Sequence, residues 1–173
     1  MESRPAWDDY FGKIAEVVSS RATCKRRKIG VVIVDKEHHI ISTGYNGSPP
    51  GLPHCDDAGH LMEEGHCVRT IHGEHNAVLQ AAAQGGTSTR GSTLYTKYVP
   101  CIHCCKYMVA AGIVRVVYAK IYRNTQAVDY LEQAGLAVTQ YREDPAWQQA
   151  LVRIFTEEIP TKTAPEVKFT VQK

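Results

Sequence analysis

The stretch TIHGEHNAVLQAA, residues 70–82, places polar side chains where a helix is about to enter a core. Its second half is apolar and helix-forming, yet His72, Glu74 and His75 precede that half around Gly73, a residue that weakens helices. Residues two apart point to opposite sides of an ideal helix, so His72 and Glu74 share a site only if His72 lies at or before the first helical residue. The stretch therefore predicts a functional site at the start of a helix.

A second informative run, YVPCIHCCKYMVAAG (98–112), contains two cysteines three positions apart. If a helix begins there, Cys101 and Cys104 lie on one face, and the helix dipole favours their thiolates. Two thiolates and the imidazole of His72 make a zinc ligand set that leaves one tetrahedral position open, as catalytic zinc sites do. Cys105 would point elsewhere, and we predict that it belongs to the core.

The main alternative for a Cys-x-x-Cys motif is a redox pair, but this sequence shows no thioredoxin-like context. His-x-Glu followed by Pro-Cys-x-x-Cys is the pattern of zinc deaminases. Zinc held by one imidazole and two thiolates is a weaker Lewis acid than zinc held by three histidines, so a nearby base has to complete the deprotonation of water. Glu74 is the candidate base, and it can return the proton to a ring nitrogen and a departing amine. The two motifs together predict hydrolytic deamination.

The bulk composition is that of one globular domain. The chain has 173 residues, of which 43% are hydrophobic and 22% charged, with a formal net charge of +2. That charge is low for a dedicated nucleic-acid-binding protein, although a local patch can still hold a small anion. No segment approaches the roughly 20 apolar residues that cross a bilayer, and the N-terminus lacks a signal-peptide core. We therefore expect a cytoplasmic protein with no nucleic-acid or membrane partner, whose six cysteines serve metal binding or catalysis rather than disulfides.

Strands and helices are predicted to alternate along most of the chain. A first helix over 7–20 would place Tyr10, Ile14, Val17 and Val18 on its core face. The later elements are hairpin strands at 29–35 and 39–46, strands at 92–96, 114–119 and 136–141, and helices at 73–84, 102–111, 126–135 and 145–158. This alternation predicts an α/β fold, a mixed sheet with helices on both faces. We expect one domain over 1–143 and a C-terminal helix and tail over 144–173.

Several segments resemble the deoxycytidylate (dCMP) deaminase family of the zinc-dependent cytidine deaminase superfamily, including its bacterial late-competence type. They are SSRATCKRRKIGVVIV (19–34), STGYNGSPPGLPHC (42–55), GHCVRTIHGE (65–74), IHGEHNAV (71–78) and TLYTKYVPCIHCCKYMVAAGIVRVVY (93–118). The resemblance spans about residues 7–141. It implies a three-layer α/β/α fold with a five-stranded mixed sheet, a zinc cofactor, and hydrolysis of dCMP to deoxyuridylate (dUMP) and ammonia, which supplies dUMP for thymidylate synthesis.

Other interpretations of the same core stay open. A deaminase of another cytosine nucleoside or nucleotide, of guanine, or of tRNA adenosine would share the zinc motifs. The near-neutral charge and the long Cys/His-rich loop disfavour the tRNA enzyme. From another class, a non-catalytic DNA-uptake accessory protein with a vestigial zinc fold predicts a broken proton shuttle, whereas Glu74 is intact.

The resemblance also implies roles for individual residues. His72, Cys101 and Cys104 match the zinc ligands, and Glu74 matches the proton shuttle. Asn46 matches an asparagine that contacts the sugar of the nucleoside. Regulated members are commonly homohexamers that dCTP activates and dTTP inhibits. Their triphosphate binds a loop at a subunit interface, and the matching positions here are Gly44, Tyr45, Asn46, Gly47, Pro49 and Gly51.

Two positions depart from the usual family pattern. Gly73 stands where relatives usually have Ala, a change expected to have little effect. His75 is unusual so close to the reaction centre, and its role stays open between substrate preference and a phosphate contact.

A nucleotide substrate requires a cation for its phosphate, and RATCKRRK (21–28) offers five beside the first strand. Most of these side chains should form a solvated rim, and Arg26 is the first candidate for the phosphate contact. Arg123 is the second. Asn76 either contacts the ligand or bonds backbone within the first turns of its helix.

The long loop ahead of the His-x-Glu motif is rich in Cys and His and too polar to bury. A zinc ion would compensate for the entropy lost on ordering it. We predict a closed structural site of Cys24, Cys55, His60 and Cys67, with His66 as the substitute ligand. Relatives often carry Cys where His60 stands, which keeps a ligand there. The alternative is a set of reduced cysteines and scattered histidines, since ligand count does not establish geometry.

Overall fold

The computed structural model describes residues 4–85, 87–121 and 125–156, and the chain divides into two compact units after Glu143. In chain order the elements of the first unit are α1 (Trp7–Ser19), β1 (Gly30–Val34), β2 (Ile40–Tyr45), α2 (Cys55–Ala58), β3 (Met62–Glu63), β4 (His66–Cys67), α3 (Gly73–Ala83), β5 (Thr93–Tyr98), α4 (Ile102–Ala110), β6 (Arg115–Lys120), α5 (Gln126–Gln133) and β7 (Ala137–Gln140). The second unit contains α6 (Pro145–Thr156).

The predicted terminal helix over 145–158 agrees with α6 as far as residue 156, and its last two positions, with the rest of the tail, lie outside the described residues. Within the described part of the chain, no helix combines the length and the apolar character needed to span a bilayer.

Five strands form one mixed sheet in the order β2-β1-β5-β6-β7. β1 pairs antiparallel with β2 and β5, whereas β5 pairs parallel with β6 and β6 with β7. The parallel pairs are connected through α4 and α5, because parallel neighbours require a crossover long enough to return the chain to the same edge. The predicted five-stranded mixed sheet is thus confirmed.

Helices cover both faces of the sheet. Alternate residues of β1 belong to two separate cores, and the whole strand is buried, which explains its unbroken apolar run. On one face α1 buries Phe11 and Ala15. On the other face α3, α4 and α5 bury Ala77, Met108 and Leu131. The core formed by α3, α4 and α5 includes Cys104, so it adjoins the helix starts that carry the His-x-Glu and Cys-x-x-Cys motifs.

Two of the four residues predicted on the core face of α1 are exposed, so that prediction is wrong for them. Tyr10 and Val17 are 44% and 37% exposed, and only the other two predicted residues pack against the core. The fully buried positions are Phe11 and Ala15 instead. A side chain at Gly30 of β1 would overlap the backbone of Ala15, so helix and strand approach most closely along these two small residues. This close approach determines which face of α1 is turned toward the sheet. The spacing of apolar residues in the helix does not determine that face by itself.

The long Cys/His-rich loop contains short regular elements. α2 is a single turn, and β3 and β4 form a hairpin whose turn has positive φ at Glu64 (45°) and Gly65 (78°). A bridge between Gly47 and Ile71 closes the base of the loop. Within residues 48–71, all of which the structure describes, Cys55 is the only buried side chain. Hydrophobic burial therefore does little to hold this segment in place.

Candidate active site and metal centres

The starts of α3 and α4 bring the two sequence motifs together. His72 directly precedes α3 with extended backbone (φ −65°, ψ 149°), and Cys101 precedes α4 in the same conformation (φ −73°, ψ 161°). His72 therefore lies just before the first helical residue, as sharing a site with Glu74 requires. Cys101 follows the C-terminal end of β5, the edge at which open α/β sheets place their sites.

Three side chains converge there with the spacing of metal ligands. The Nδ1 atom of His72 lies 3.5 Å from the Sγ of Cys101 and 3.5 Å from the Sγ of Cys104. One ligand atom from each of the three residues lies within 4.8 Å of the others. Tetrahedral zinc with Zn–S of about 2.3 Å and Zn–N of about 2.1 Å separates sulfur from nitrogen by about 3.6 Å. The donor types and their spacing therefore fit zinc.

The protonation of this group favours a cation. Hydrogen bonds from Cys104 and His72 lower the pKa of the Cys101 thiol to about 3. The hydrogen bond shared with Cys101, together with burial, raises the pKa of Cys104. The hydrogen bond to Cys101 also raises the pKa of His72. A thiolate is thus available at neutral pH, and a divalent ion would displace the remaining protons.

Glu74 is the acidic residue beside this group. Its side chain is only 2% exposed, and its Oε2 atom accepts a hydrogen bond from the Sγ of Cys104 at 3.7 Å. Burial raises the pKa of the Glu74 carboxyl. A carboxyl with a raised pKa takes up a proton more readily than an exposed carboxyl does.

These residues border a pocket of about 350 Å³, within the range that small ligands occupy. His72, Glu74 and Cys101 are among the residues that line it. The remaining wall includes three basic side chains, an amide and an aromatic ring, namely Arg26, Arg27, His66, Asn46 and Tyr98. The pocket thus combines potential metal ligands, a buried carboxyl and a basic wall.

Two predicted substrate contacts line this pocket. Arg26 is exposed, and its guanidinium donates to the Sδ of Met62 at 3.1 Å and to the carbonyl of Gly65 at 3.0 Å. Asn46 is buried; its Oδ1 accepts from the Ile29 backbone and its Nδ2 donates to the Arg27 carbonyl, each at 2.8 Å. The Asn46 amide therefore fixes the backbone just before β1 besides facing the pocket.

Asn76 and His75 lie outside the lining of this pocket. Asn76 donates to the Tyr45 carbonyl of β2 at 2.9 Å, so its side chain joins α3 to the sheet and does not line the pocket. His75 stacks on Tyr107 of α4 with ring centroids 4.2 Å apart, and it also does not line the pocket. Arg123 falls outside the described residues.

Two residues of the pocket lining, Arg27 and Tyr98, were not predicted individually from the sequence. The guanidinium of Arg27 lies 4.6 Å from the ring centroid of Tyr98, a cation–π arrangement on the pocket wall. Arg27 was one of five cations in the basic run, and Tyr98 was only a residue of the run before Cys101. The available signal was position: Tyr98 ends β5, directly before the predicted metal ligands.

A second group of ligand atoms forms where the long loop meets the segment before β1. Cys24, Cys55, His60 and Cys67 each offer one ligand atom, and these lie within 4.8 Å of one another. The Sγ atoms of Cys55 and Cys67 are 3.6 Å apart, and Cys24 Sγ lies 3.7 Å from His60 Nδ1. Four such donors fit a closed tetrahedral zinc site, in which two sulfurs are about 3.8 Å apart. His66, the predicted substitute, lines the pocket instead.

The thiols of this second group differ in acidity. Burial raises the pKa of Cys55 to about 12. Burial opposes ionisation of Cys67 as well, but hydrogen bonds from the Arg69 backbone and Cys55 outweigh it and lower the pKa of Cys67 to about 7. Cys105 is fully buried in the core, as predicted, and belongs to neither group.

The glycines of the proposed effector loop have local structural explanations. A side chain at Gly44 would overlap the backbone of Ala77 and Gly73, so β2 can approach α3 this closely only with glycine. Gly51 has a φ of 83°, which glycine adopts without strain. Binding of a triphosphate by this loop stays a prediction.

Comparison with known proteins identifies the family. A family model of the cytidine and deoxycytidylate deaminase zinc-binding region matches residues 5–120. ComE operon protein 2 of Bacillus subtilis (strain 168) is 42% identical over 142 residues, which cover 82% of this chain and 74% of that protein. Deoxycytidylate deaminase of Saccharomyces cerevisiae is 37% identical over 145 residues, and the match covers 80% of this chain but only 46% of the yeast protein.

A solved structure agrees with both matches. The crystal structure of dCMP deaminase from the cyanophage S-TIM5, in complex with dCMP and dUMP, has a TM-score of 0.69 and 32% sequence identity. It covers 81% of this chain and 100% of that chain, so the shared fold includes the whole phage enzyme. The motifs, the sheet and the matches all lead to one conclusion: the chain belongs to the cytidine and deoxycytidylate deaminase family.

Proposed function

We propose that this protein catalyses the zinc-dependent hydrolysis of dCMP to dUMP and ammonia. The observation that carries the proposal is the position of Glu74, a buried carboxyl beside a three-residue zinc ligand set in a pocket with a cationic wall. The relatives named deoxycytidylate deaminase, and the phage enzyme solved with dCMP and dUMP, support the choice of substrate.

The three residues that would hold the catalytic zinc are His72, Cys101 and Cys104. Three protein ligands leave a tetrahedral position for water, which distinguishes this group from the four-residue group of the loop. When bound, zinc supplies the positive charge that makes a water molecule easier to deprotonate. The two thiolates offset part of that charge, so the protein has to supply a base as well.

Glu74 supplies that base. Its carboxylate takes the proton of the attacking water, delivers it to the ring nitrogen next to the reacting carbon of cytosine, and later transfers a proton to the departing amine. Burial suits both directions of transfer, because it raises the pKa of the carboxyl toward neutrality. The pocket wall around Glu74 also limits competing hydrogen bonds from solvent.

The cationic wall would hold the 5′-phosphate of the nucleotide. Arg26 is our choice for the direct contact, because its guanidinium is exposed at the pocket and is anchored on the hairpin only through Met62 and the Gly65 carbonyl. Asn46 would contact the sugar from the same side. The two hydrogen bonds of its amide to backbone keep that side chain in one orientation.

The second group, Cys24, Cys55, His60 and Cys67, would hold a structural zinc. Four protein donors close the coordination shell, so no position remains for a reacting water. We also propose a cytoplasmic homo-oligomer, with a hexamer and control by dCTP and dTTP as the form that the family resemblance implies.

Ammonia release from dCMP, CMP and deoxycytidine by the purified protein tests the proposed function. We expect the highest kcat/KM with dCMP, because only this substrate has both the phosphate and the deoxyribose. Preference for deoxycytidine would indicate a nucleoside deaminase. Absence of turnover with all three would favour the DNA-uptake accessory, a role that does not require an intact proton shuttle at Glu74.

A further inference from the structure

The four-residue group of the loop is also part of the wall of the reaction pocket. Cys24 and Cys67 each contribute a ligand atom to the group, and both line the pocket. The other two members, Cys55 and His60, do not line it. An ion in this group would therefore be one residue layer away from the bound substrate.

Two basic residues of the pocket lie close to these two cysteines in the chain. Arg26 lies two residues after Cys24, and His66 lies one residue before Cys67. Arg26 further joins the two segments, since its guanidinium donates to Met62 and Gly65 of the hairpin. The cationic wall is thus assembled from two chain segments that meet at the thiol group.

The loop segment is otherwise held by polar contacts and has no apolar core: Thr23 Oγ1 lies 3.2 Å from His54 Nδ1, and Lys25 Nζ lies 3.5 Å from Asp56 Oδ1. Within the fully described range 48–71, Cys55 is the only buried side chain, while Leu52, Leu61 and Met62 are 58%, 53% and 46% exposed. The Arg69 Nε donates to the Gly59 carbonyl on the surface, where such a bond contributes little. A segment without an apolar core opens at low free-energy cost unless an ion cross-links it.

We propose that zinc in the group of Cys24, Cys55, His60 and Cys67 and the nucleotide in the pocket bind cooperatively, because the ion sets the position of Arg26 and the hairpin that holds it. The proposal rests on the proposed function for the identity of the nucleotide. Cooperativity of this kind is reciprocal: the ion strengthens nucleotide binding by the same factor by which the nucleotide strengthens ion binding. The four residues act here as positioning residues.

The substitution His60→Ala tests the proposal. It removes a proposed metal ligand, and because His60 is exposed and does not line the pocket, the pocket lining stays the same. The zinc content should fall from two ions per chain to one. In a Glu74→Gln background, where dCMP is not consumed, calorimetry should show a rise in the Kd of dCMP of about tenfold or more. The affinity for deoxycytidine, which has no phosphate to meet Arg26, should change much less.

Two further variants separate positioning from general damage. His60→Cys restores a ligand and should restore both the second zinc and the affinity for dCMP. Leu52→Ala changes an exposed side chain in the same loop and should leave both unchanged. An unaltered Kd in His60→Ala with one zinc lost would overturn the proposal, and so would an equal loss of affinity for dCMP and deoxycytidine.

If His60→Ala does not fold, the proposal can still be tested in a protein whose loop sequence is unaltered. In the Glu74→Gln protein, dCMP should slow hydrogen exchange of the backbone amides of α2, which contribute nothing to the pocket lining. Unchanged exchange in α2 would overturn the coupling, as would one zinc per chain in the unaltered protein. Failure of the unaltered protein to deaminate dCMP contradicts the proposed function instead, and the two failures are therefore distinguishable.

Discussion

The Oε2 atom of Glu74 lies 3.7 Å from the Sγ of Cys104, although the two residues are 30 positions apart in the chain. Each comes from the first turn of a different helix, and α3 and α4 pack side by side on the same face of the sheet. A carboxyl this close to a proposed zinc ligand would lie near a water bound in the open position of that zinc. The proposed proton-transfer role of Glu74 depends on this proximity.

Glu74→Gln should keep zinc and lose turnover. Glutamine has nearly the same shape but cannot accept and return a proton, and both proton transfers pass through this side chain. We expect kcat to fall by about 10³-fold or more, measured by ammonia release from dCMP, with an unchanged zinc content. Glu132→Gln on the exposed surface of α5 is the control and should be fully active. Near-normal turnover in Glu74→Gln would contradict the mechanism.

Cys101 and Cys105, four positions apart in the chain, should differ sharply in their effect on zinc content. Cys101→Ala removes a proposed zinc ligand and should reduce the zinc content by one ion and abolish turnover. Cys105→Ala removes a sulfur that lies in the core, so it should retain the metal and lose only about 1–2 kcal/mol of unfolding free energy. Metal analysis and denaturant unfolding of the two variants check this contrast. The ligand assignment would be contradicted if Cys105→Ala lost zinc and Cys101→Ala retained it.

Arg26→Ala should impair recognition of the phosphate. The KM for dCMP should rise by about 10- to 100-fold, because a charge-assisted contact contributes roughly 1.5–3 kcal/mol, whereas kcat/KM for deoxycytidine should change little. Lys28→Ala removes a charge of the same sign from the same exposed run, outside the pocket lining, and serves as the control. Equal effects of Arg26→Ala on both substrates would rule out a phosphate contact.

The convergence of the three proposed catalytic zinc ligands could be predicted from sequence because it follows from local spacing. The need for His72 to precede the helix, and the helical spacing of Cys101 and Cys104, follow from helix geometry. The four-residue group was also identified from its donor types, although the choice between His60 and His66 depends on the fold of the hairpin. The structure brings His60 to the thiols, and His66 to the pocket.

The positions that sequence did not predict depend on tertiary contacts. The rotation of α1 follows from its contact with Gly30, a residue 11 positions beyond the end of that helix. The role of Asn76 was open, and its bond to the Tyr45 carbonyl exists only because β2 packs against α3. No local pattern contains such contacts, because they join segments that are distant in the chain.

Gly44→Ala should destabilise the protein and weaken the catalytic metal site together. A methyl group there would overlap the backbone at Ala77 and Gly73, which would displace α3 from the sheet. We expect a loss of about 1–3 kcal/mol of unfolding free energy and faster zinc release to a chelator. In Gly73→Ala the nearest atoms would be 3.3 Å away, so stability should stay within about 1 kcal/mol of the parent. Equal stability of the two variants would contradict the close approach.

The ion pair between Asp8 and Arg115 should make stability depend on acid pH. The guanidinium donates to both carboxylate oxygens at 2.8 and 2.7 Å, and the Tyr95 hydroxyl donates to one of them at 3.0 Å. The hydrogen bond from Arg115 is the main reason that the pKa of Asp8 lies below its ordinary 3.8. A carboxyl with a lowered pKa in the folded state stabilises the fold above its unfolded pKa, and this contribution is lost as the pH falls through the folded value.

Asp8→Asn should therefore lower the free energy of unfolding at pH 7 by about 1–2 kcal/mol. The difference from the parent should be constant above pH 5 and shrink as the pH falls below 3.8, the ordinary value at which an unfolded Asp8 takes up its proton. Asp9→Asn removes a charge from the same first turn of α1 and controls for the helix dipole. Urea unfolding of the three proteins between pH 3 and pH 7 checks the window. A difference that persists undiminished at pH 3 would show that the Asp8 side chain stabilises α1 through packing rather than through its charge.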